Sequence, residues 1–108
     1  MALDAFRGEV WDVDFAEFGE HPAVVISTNA PNAQLGHVAV VVVTGTTGPA
    51  TTHLPLTADA GLTRYDESYA DVTSLQPVDK ADLLRQRGRL AQGELRRLEA
   101  ALRVYLGL

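Results

Sequence analysis

One run of six residues, Val38-Ala39-Val40-Val41-Val42-Val43, limits the folds open to this chain more than any other stretch. Branching at the β carbon stiffens the valine side chain and suits a pleated sheet, whereas it lowers helix propensity. The run is too short for a helix that stands alone, and no polar residue in it marks a face for solvent. We therefore predict a central strand that is buried on both faces.

A second strand is predicted for the segment His21-Pro22-Ala23-Val24-Val25-Ile26-Ser27. Proline disfavours helical backbone for the residue before it, so His21 should be extended. The loop Ala16–Glu20 precedes this segment, which places His21 at the mouth of the strand. Because loops on a rigid scaffold often carry functional groups, His21 is the first candidate site residue.

The segment Arg7–Phe15 alternates between apolar and polar residues, the pattern of a half-buried strand. Trp11, Val13 and Phe15 share the predicted core face. Asp12 and Asp14 fall on the other face, and we interpret them as solvated rather than catalytic carboxylates.

Further along the chain, turn residues and β-branched residues divide the sequence into short elements. The predicted turns or loops are Thr28–Gly36, Thr44–Pro49 and the polar connection Thr57–Asp66. The predicted strands are Thr51–Leu56 and Ser68–Leu75.

Helical signals appear only in the last third of the chain. Asp79 is a suitable N-cap for a short helix Lys80–Arg87 that Gly88 ends. Leu90 is then a short extended link, and from about Gly93 leucines recur every three or four residues, as in an amphipathic helix. Strands followed by helices predict the α+β class: a small antiparallel sheet or barrel with a terminal helix packed on it.

The 108 residues fit one domain, residues 1–108, and the absence of cysteine excludes disulfides and thiolate metal sites. No apolar run has membrane-spanning length and the first residues do not start a signal peptide, so we expect a cytoplasmic protein. The net charge of −5 argues against an indiscriminate nucleic-acid binder. Acidic residues crowd the start and arginines the end; we interpret both groups as solvated faces, with a charged partner as the alternative.

The chemistry available in this sequence is acid–base chemistry without a metal. His21, His37 and His53 lack metal-ligand spacing, and the segment Gly45–Gly48 lacks the lysine of a phosphate-binding loop. Imidazole titrates near neutral pH, and Thr44 with the following backbone N–H groups can donate to a phosphoryl oxygen. The alternatives are an exposed loop histidine and a strand-end threonine that bonds its own backbone.

Several segments together resemble the MazF family (MazF/PemK-like proteins, related in fold to CcdB). The resemblance starts at Arg7 and covers the rest of the chain. It is carried by Arg7-Gly8-Glu9-Val10-Trp11, Pro22–Ser27, the valine strand that ends in Thr44, Val78–Leu83, Gly88-Arg89-Leu90 and Glu94–Leu108.

The resemblance implies a small SH3-like antiparallel β-barrel with a C-terminal amphipathic helix, assembled as a homodimer. It also implies the toxin of a type II toxin–antitoxin system, an endoribonuclease that cuts single-stranded RNA at short motifs without metal or cofactor. The ribose 2′-hydroxyl attacks the adjacent phosphorus, which leaves a cyclic phosphate and a 5′-hydroxyl. A MazE-like antitoxin blocks the RNA groove with a disordered acidic tail, a segment suited to folding on binding.

Carried onto this chain, the resemblance makes Thr44 the catalytic threonine and puts His21 where the family has a catalytic arginine before the proline. Arginine is always charged and can clamp a phosphate, which histidine does not do reliably. The loop Ala16–Glu20 is also shorter than usual, and Ser74-Leu75-Gln76 replaces a Gln-x-Arg motif. The residues implied in RNA binding are Asn32, Gly45, Thr46, Thr47, Ser74 and Gln76.

Two functions follow from these residues. The first is an active endoribonuclease in which His21 and Thr44 act as a pair. The second is a catalytically weakened protein of the same fold that binds an antitoxin or another protein, because the family arginine is missing. A gyrase poison of the CcdB type is disfavoured, because the chain lacks the Trp-Gly-Ile ending associated with that group.

Overall fold

The computed structural model describes residues 4–57, 60 and 67–108. The strands are β1 (Glu9–Phe15), β2 (Gly19–Val25), β3 (His37–Thr44), β4 (His53–Pro55), β5 (Tyr69–Asp79) and β6 (Leu83–Arg89). The helices are α1 (Asn29–Gln34) and α2 (Gln92–Leu106).

All six strands join one antiparallel sheet in the order β4-β5-β3-β2-β1-β6. The valine run forms β3 and lies between β5 and β2, which confirms the predicted central strand. The α+β class with a terminal helix is also confirmed. The sheet stays open, with β4 and β6 at its two edges, so the word barrel describes it only loosely.

Alternate residues of β3 point into two separate apolar cores, so both of its faces are buried as predicted. We call the first the strand core; its members are Ala5, Trp11, Val13, Phe15, Ala23, Val25, Val38, Val40, Val42, Val78 and Leu83. We call the second the helix core; its members are Val10, Val24, Val41, Val43, Ala60, Ala70, Val72, Leu90, Leu98 and Leu102. Strand β1 contributes residues to both cores and is therefore buried on both faces. The prediction that β1 is half-buried is wrong.

The predicted helix Lys80–Arg87 is wrong. A single 3-10 turn, Lys80–Asp82, is followed by β6, which pairs with β1. Arg85 and Arg87 both reach the carboxylate of Asp12 on β1. Residues two apart share a face in a strand but not in a helix, so both arginines can reach Asp12 only if the segment is extended. This tertiary contact and the burial of Leu83 outweigh the local helix preference.

The other elements differ mainly at their ends. The predicted turn Thr28–Gly36 contains α1. β4 is shorter than the predicted strand Thr51–Leu56, and β5 runs four residues past Leu75. Most of the predicted connection Thr57–Asp66 lies outside the described residues.

The predicted C-terminal amphipathic helix is confirmed as α2. Leu98 and Leu102 are buried in the helix core. The Glu94 carboxylate accepts from the backbone N–H of Ala91 at 3.0 Å, which stabilises the first turn, and Gly107 ends the helix with a φ of +73°. In the part of the chain that the structure describes, no helix has the length and apolar character needed to cross a bilayer.

Candidate functional site

The β2–β3 register brings His21 and Thr44 to the same end of the sheet. The paired residues are Val25 with Val40, Val24 with Val41 and Ala23 with Val42. The ladder ends at Ala23 and Val42, and the same register continued by two residues on each strand would set His21 opposite Thr44. His21 lies two residues from Ala23, and Thr44 lies two residues from Val42. Residues two apart on a strand share a face, and Ala23 and Val42 both belong to the strand core, so the side chains of His21 and Thr44 leave the sheet on the same face.

His21 lies inside β2 rather than at its mouth, because the β1–β2 hairpin is longer than expected. His21 pairs with Val13, and the hairpin continues to the pair Phe15 and Gly19. The connecting loop is therefore reduced to Ala16–Phe18. A β-strand backbone holds the position of His21 more firmly than a loop would.

The imidazole of His21 contacts one member of a stacked aromatic pair. The ring of Phe18 lies 5.1 Å from that of His21, centroid to centroid, at an interplanar angle of 60°. Phe18 in turn stacks on Phe15 at 4.6 Å and 14°. His21 is exposed, and among the residues that the structure describes none hydrogen-bonds its ring. Its nitrogen atoms therefore face solvent, where a substrate can reach them.

Thr44 is the last residue of β3, and its hydroxyl oxygen accepts a hydrogen bond from the backbone N–H of Thr46 at 3.1 Å. This is the local bonding expected of a strand-end threonine. A hydroxyl that accepts still has a proton to donate. Thr44 can therefore donate to a phosphoryl oxygen while its own loop holds it in place.

Tyr69 is a site neighbour that sequence reasoning missed. It pairs directly with Thr44 across the β3–β5 ladder. Its phenol donates to Glu67 at 2.8 Å, and this hydrogen bond, with burial and the charge of Glu67, raises the pKa of Tyr69 above its ordinary value. The phenol is thus neutral at pH 7. Only the strand register places it here, and the sequence carries no signal for that register.

The loop that follows Thr44 is fastened at its far end by a polar cluster that we call the loop anchor: Gly48, Thr52, His53 and Asp71. The ring of His53 lies 2.8 Å from the Thr52 hydroxyl through Nδ1 and 3.7 Å from the Asp71 carboxylate through Nε2. Gly48 packs on the same ring, where a Cβ atom would come within 2.5 Å. The anchor therefore limits the positions open to residues 45–48.

Asp71 is the charged member of the loop anchor. Burial alone would raise its pKa, but hydrogen bonds from the side chain and backbone of Thr73, the nearby His53 and the hydroxyl of Ser74 lower it below the ordinary value. Asp71 is therefore ionised at neutral pH, which suits its contact with the His53 ring.

The residues implied in RNA binding do not all meet at one place. Gly45, Thr46 and Thr47 are exposed beside Thr44. Asn32 is only 2% exposed and donates its amide to the backbone oxygen of Ser27 at 2.9 Å. The Ser74 hydroxyl donates to Asp71 at 3.2 Å.

Gln76 lies further along the sheet. It pairs with Val40, about 13 Å along β3 from Thr44 at the usual rise per residue. There it lines a cavity of about 300 Å³ whose wall also carries the carboxylates of Asp14, Glu17, Asp79 and Asp82. Those carboxylates make this cavity unfavourable for a phosphate.

Several arginines of the described residues form ion pairs with aspartate or glutamate side chains of this chain. Asp12 is 2% exposed and lies 2.7 Å from Arg85 and 3.2 Å from Arg87. Asp12 lies two residues after Val10, a helix-core residue, and so shares its face of the strand. Its side chain therefore leaves the sheet on the face opposite His21. The interpretation of Asp12 as a solvated carboxylate is therefore wrong, and these arginines are not placed beside Thr44.

The Arg7 side chain lies 2.6 Å from Glu99 of α2. Within residues 4–57, 60 and 67–108, no three histidine, aspartate or glutamate side chains are grouped to hold a metal ion. The His21–Thr44 end instead offers an imidazole, a hydroxyl and the backbone N–H groups of the exposed residues Gly45 and Thr47. This set can move a proton and donate hydrogen bonds to an oxyanion.

Solved structures of similar fold are numerous. A mycobacterial endoribonuclease in complex with its cognate antitoxin superposes with a TM-score of 0.87 at 24% identity, over 96% of each chain. The Mycobacterium tuberculosis toxin MazF-mt6 gives 0.82 at 22%, over 93% of this chain and 97% of that one. A MazE–MazF structure from Deinococcus radiodurans gives 0.81 at 20%, over 98% of each chain.

Sequence comparison adds the family. No curated protein sequence matches this chain. A family model described as the PemK-like, MazF-like toxin of type II toxin-antitoxin systems matches residues 6–106, nearly the whole chain. This chain therefore belongs to the family of PemK-like, MazF-like toxins of type II toxin–antitoxin systems.

Proposed function

We propose that this protein is a metal-independent endoribonuclease that cleaves single-stranded RNA at short motifs, with His21 and Thr44 acting on the scissile phosphate. The observation that carries the proposal is the β2–β3 register, whose continuation by two residues on each strand brings an imidazole and a hydroxyl to the same end and the same face of the sheet. Membership of the toxin family supports the substrate class.

In the proposed reaction the ribose 2′-oxygen forms a bond to the adjacent phosphorus and the bond from phosphorus to the 5′-oxygen breaks. The 2′-hydroxyl loses its proton and the 5′-oxygen gains one, so the products are a cyclic phosphate and a 5′-hydroxyl. His21 is the acid or base for these transfers, because imidazole exchanges a proton near neutral pH. Thr44 donates a hydrogen bond to a phosphoryl oxygen as negative charge builds there.

RNA contacts in this proposal centre on the exposed loop residues Gly45, Thr46 and Thr47. The N–H of Thr46 donates to the Thr44 hydroxyl, so the N–H groups of Gly45 and Thr47 are the ones offered to RNA. Asn32 and Ser74 keep their side-chain hydrogen bonds inside the protein. Gln76 can contact only RNA that continues along the sheet toward the acidic cavity.

The proposed partners are a MazE-like antitoxin and a second copy of this chain, and the proposed compartment is the cytoplasm. The antitoxin complexes among the structures of similar fold support the first of these. A short neighbouring gene that encodes an acidic, disordered tail would strengthen it, because such tails fold on binding.

The second candidate is a catalytically weakened protein that acts by binding an antitoxin or another protein. Two observations favour it: Arg85 and Arg87 are held by Asp12, and the cavity beside Gln76 is acidic. Both reduce the positive charge available to RNA phosphates, which supply much of the affinity of nucleic-acid binders.

Cleavage of a long RNA in EDTA, with analysis of the product ends, separates the two candidates. For the first we expect cyclic phosphate and 5′-hydroxyl ends, with His21→Ala lowering the rate by about 100-fold or more. Thr44→Val should cost about 100-fold and Thr44→Ser much less, since serine keeps the hydroxyl. His37→Ala, which removes an exposed imidazole of β3, is the matched control and should cleave normally.

Full activity after His21→Ala would overturn the role given to His21. If the wild-type protein leaves RNA intact while it binds an antitoxin, the second candidate is correct.

A further inference from the structure

We propose that Phe18 is a positioning residue, which orients the imidazole of His21 for RNA cleavage. This inference rests on the proposed function, because it assigns His21 a role in the reaction. The starting observation is that Phe18 is a large apolar side chain left 45% exposed in a loop. It belongs to neither apolar core, yet its ring is packed between Phe15 and His21.

The hairpin geometry holds Phe18 in place. The loop has only three residues, and the pair of Phe15 with Gly19 closes it. Gly19 has a φ of +81°, the left-handed backbone that three-residue hairpin loops use to turn back into the second strand. Phe15 is only 5% exposed, so the ring on which Phe18 stacks belongs to the strand core. Phe18 is thus a rigid extension of that core toward His21.

The imidazole of His21 depends on this contact for its orientation. Its backbone is fixed in β2, but its side chain is exposed, and no described side chain or backbone group hydrogen-bonds it. A side chain in this state can occupy several rotamers. Aromatic pairs favour edge-to-face contacts at centroid distances of about 4.5–7 Å, and the Phe18–His21 contact of 5.1 Å at 60° is of this kind. The phenyl ring therefore selects one orientation of the imidazole.

Orientation matters to rate because proton transfer requires the catalytic nitrogen within hydrogen-bond reach of the reacting oxygen, and small displacements are costly. Phe18 itself has no group that can exchange a proton. Its loss should therefore lower kcat through His21 while RNA binding is kept. A residue that stacks on an RNA base would instead change KM.

Phe18→Leu tests the proposal, because leucine stays apolar but has no ring. We expect kcat for a short RNA to fall about tenfold with KM within about twofold, and Phe18→Tyr to restore kcat. In a His21→Ala background, Phe18→Leu should cause no further loss. The matched control is Phe6→Leu, since Phe6 is also 45% exposed but lies elsewhere, beside Arg7 and Leu95.

The NMR shifts of the His21 ring protons give a readout that does not depend on activity. The Phe18 ring should displace them in the wild-type protein, and Phe18→Leu should return them toward the values of an exposed histidine. Unchanged kcat and unchanged shifts in Phe18→Leu would overturn the proposal and leave the role of His21 intact. A rise in KM alone would also overturn it, in favour of base stacking. Normal cleavage by His21→Ala would overturn the proposed function and this inference together, even if the shifts respond to Phe18.

Discussion

Asp12 and His21 lie on neighbouring strands, with Asp12 paired to Pro22, yet the two side chains have opposite surroundings. The Asp12 carboxylate is buried and forms ion pairs with two arginines, while the exposed His21 imidazole contacts the ring of Phe18 and has no hydrogen bond to any described residue. A buried carboxylate must be compensated to remain charged, whereas an exposed imidazole needs no partner. Asp12 therefore stabilises the sheet, and His21 keeps its nitrogen atoms available for a substrate.

The proposed site lacks the arginine that the family resemblance implies before Pro22. Arg85 and Arg87 of β6 form ion pairs with Asp12 on the face of the sheet opposite His21. They therefore do not supply a positive charge beside Thr44. Among the described residues, that end carries the exposed loop after Thr44, the Thr44 hydroxyl, the His21 imidazole and the Tyr69 phenol. In the proposed mechanism, the loop anchor and Phe18 restrict where these groups can move.

The largest expected effect in this comparison comes from Asp12. Asp12→Asn replaces charged hydrogen bonds to Arg85 and Arg87 with weaker neutral ones, and because Arg85 is largely exposed to water the free energy of unfolding should fall by about 2–3 kcal/mol. Urea denaturation measures it. Asp14→Asn, on the same strand but exposed, is the control and should change stability by about 0.5 kcal/mol or less. Equal losses in the two variants would mean that the Asp12 ion pairs do not stabilise the sheet.

An intermediate effect is expected at Gly48. In Gly48→Ala the new Cβ meets the His53 ring, which must shift and lose its contacts with Thr52 and Asp71. Such overpacking should cost about 1–2 kcal/mol. Thermal unfolding measures it, and Gly36→Ala is the control because open space surrounds that position. If Gly48→Ala is as stable as wild type, the anchor is looser than its geometry indicates.

The smallest effect is expected from Asp71 and depends on pH. Since its pKa is lower in the folded protein than in the unfolded chain, its ionised form stabilises the fold above the unfolded value of about 3.9. That contribution is lost as the pH falls through the lower folded pKa. Asp71→Asn should therefore be less stable than wild type at pH 7, and the difference should shrink below about pH 4.

Unfolding curves at several pH values test this, and Thr73→Val, which removes a 2.6 Å hydrogen bond to Asp71, should weaken the same pH dependence. A difference between Asp71→Asn and wild type that is constant with pH would contradict the prediction.

Some of this architecture could be predicted from the residues alone. The valine run predicted β3 and its burial on both faces, leucine spacing predicted α2, and proline with β-branched neighbours predicted β2. The order of these elements predicted the α+β class. Each of these signals is local: branching at the β carbon, a helical repeat or a fixed φ angle acts within a few residues.

Other features required the tertiary structure. The segment around Arg85 has helical preference, and it becomes β6 because it pairs with β1 and its arginines reach Asp12, 73 residues before Arg85. The pairing of Thr44 with Tyr69 depends on strand register. The contact of Phe18 with His21 depends on how the hairpin closes. The sequence by itself determined strands β1 to β5, though not β6, as well as the last helix and the candidacy of His21 and Thr44. Only the folded sheet decided which of these groups meet, because strand pairing and ion pairs join residues whose separation along the chain leaves no local pattern.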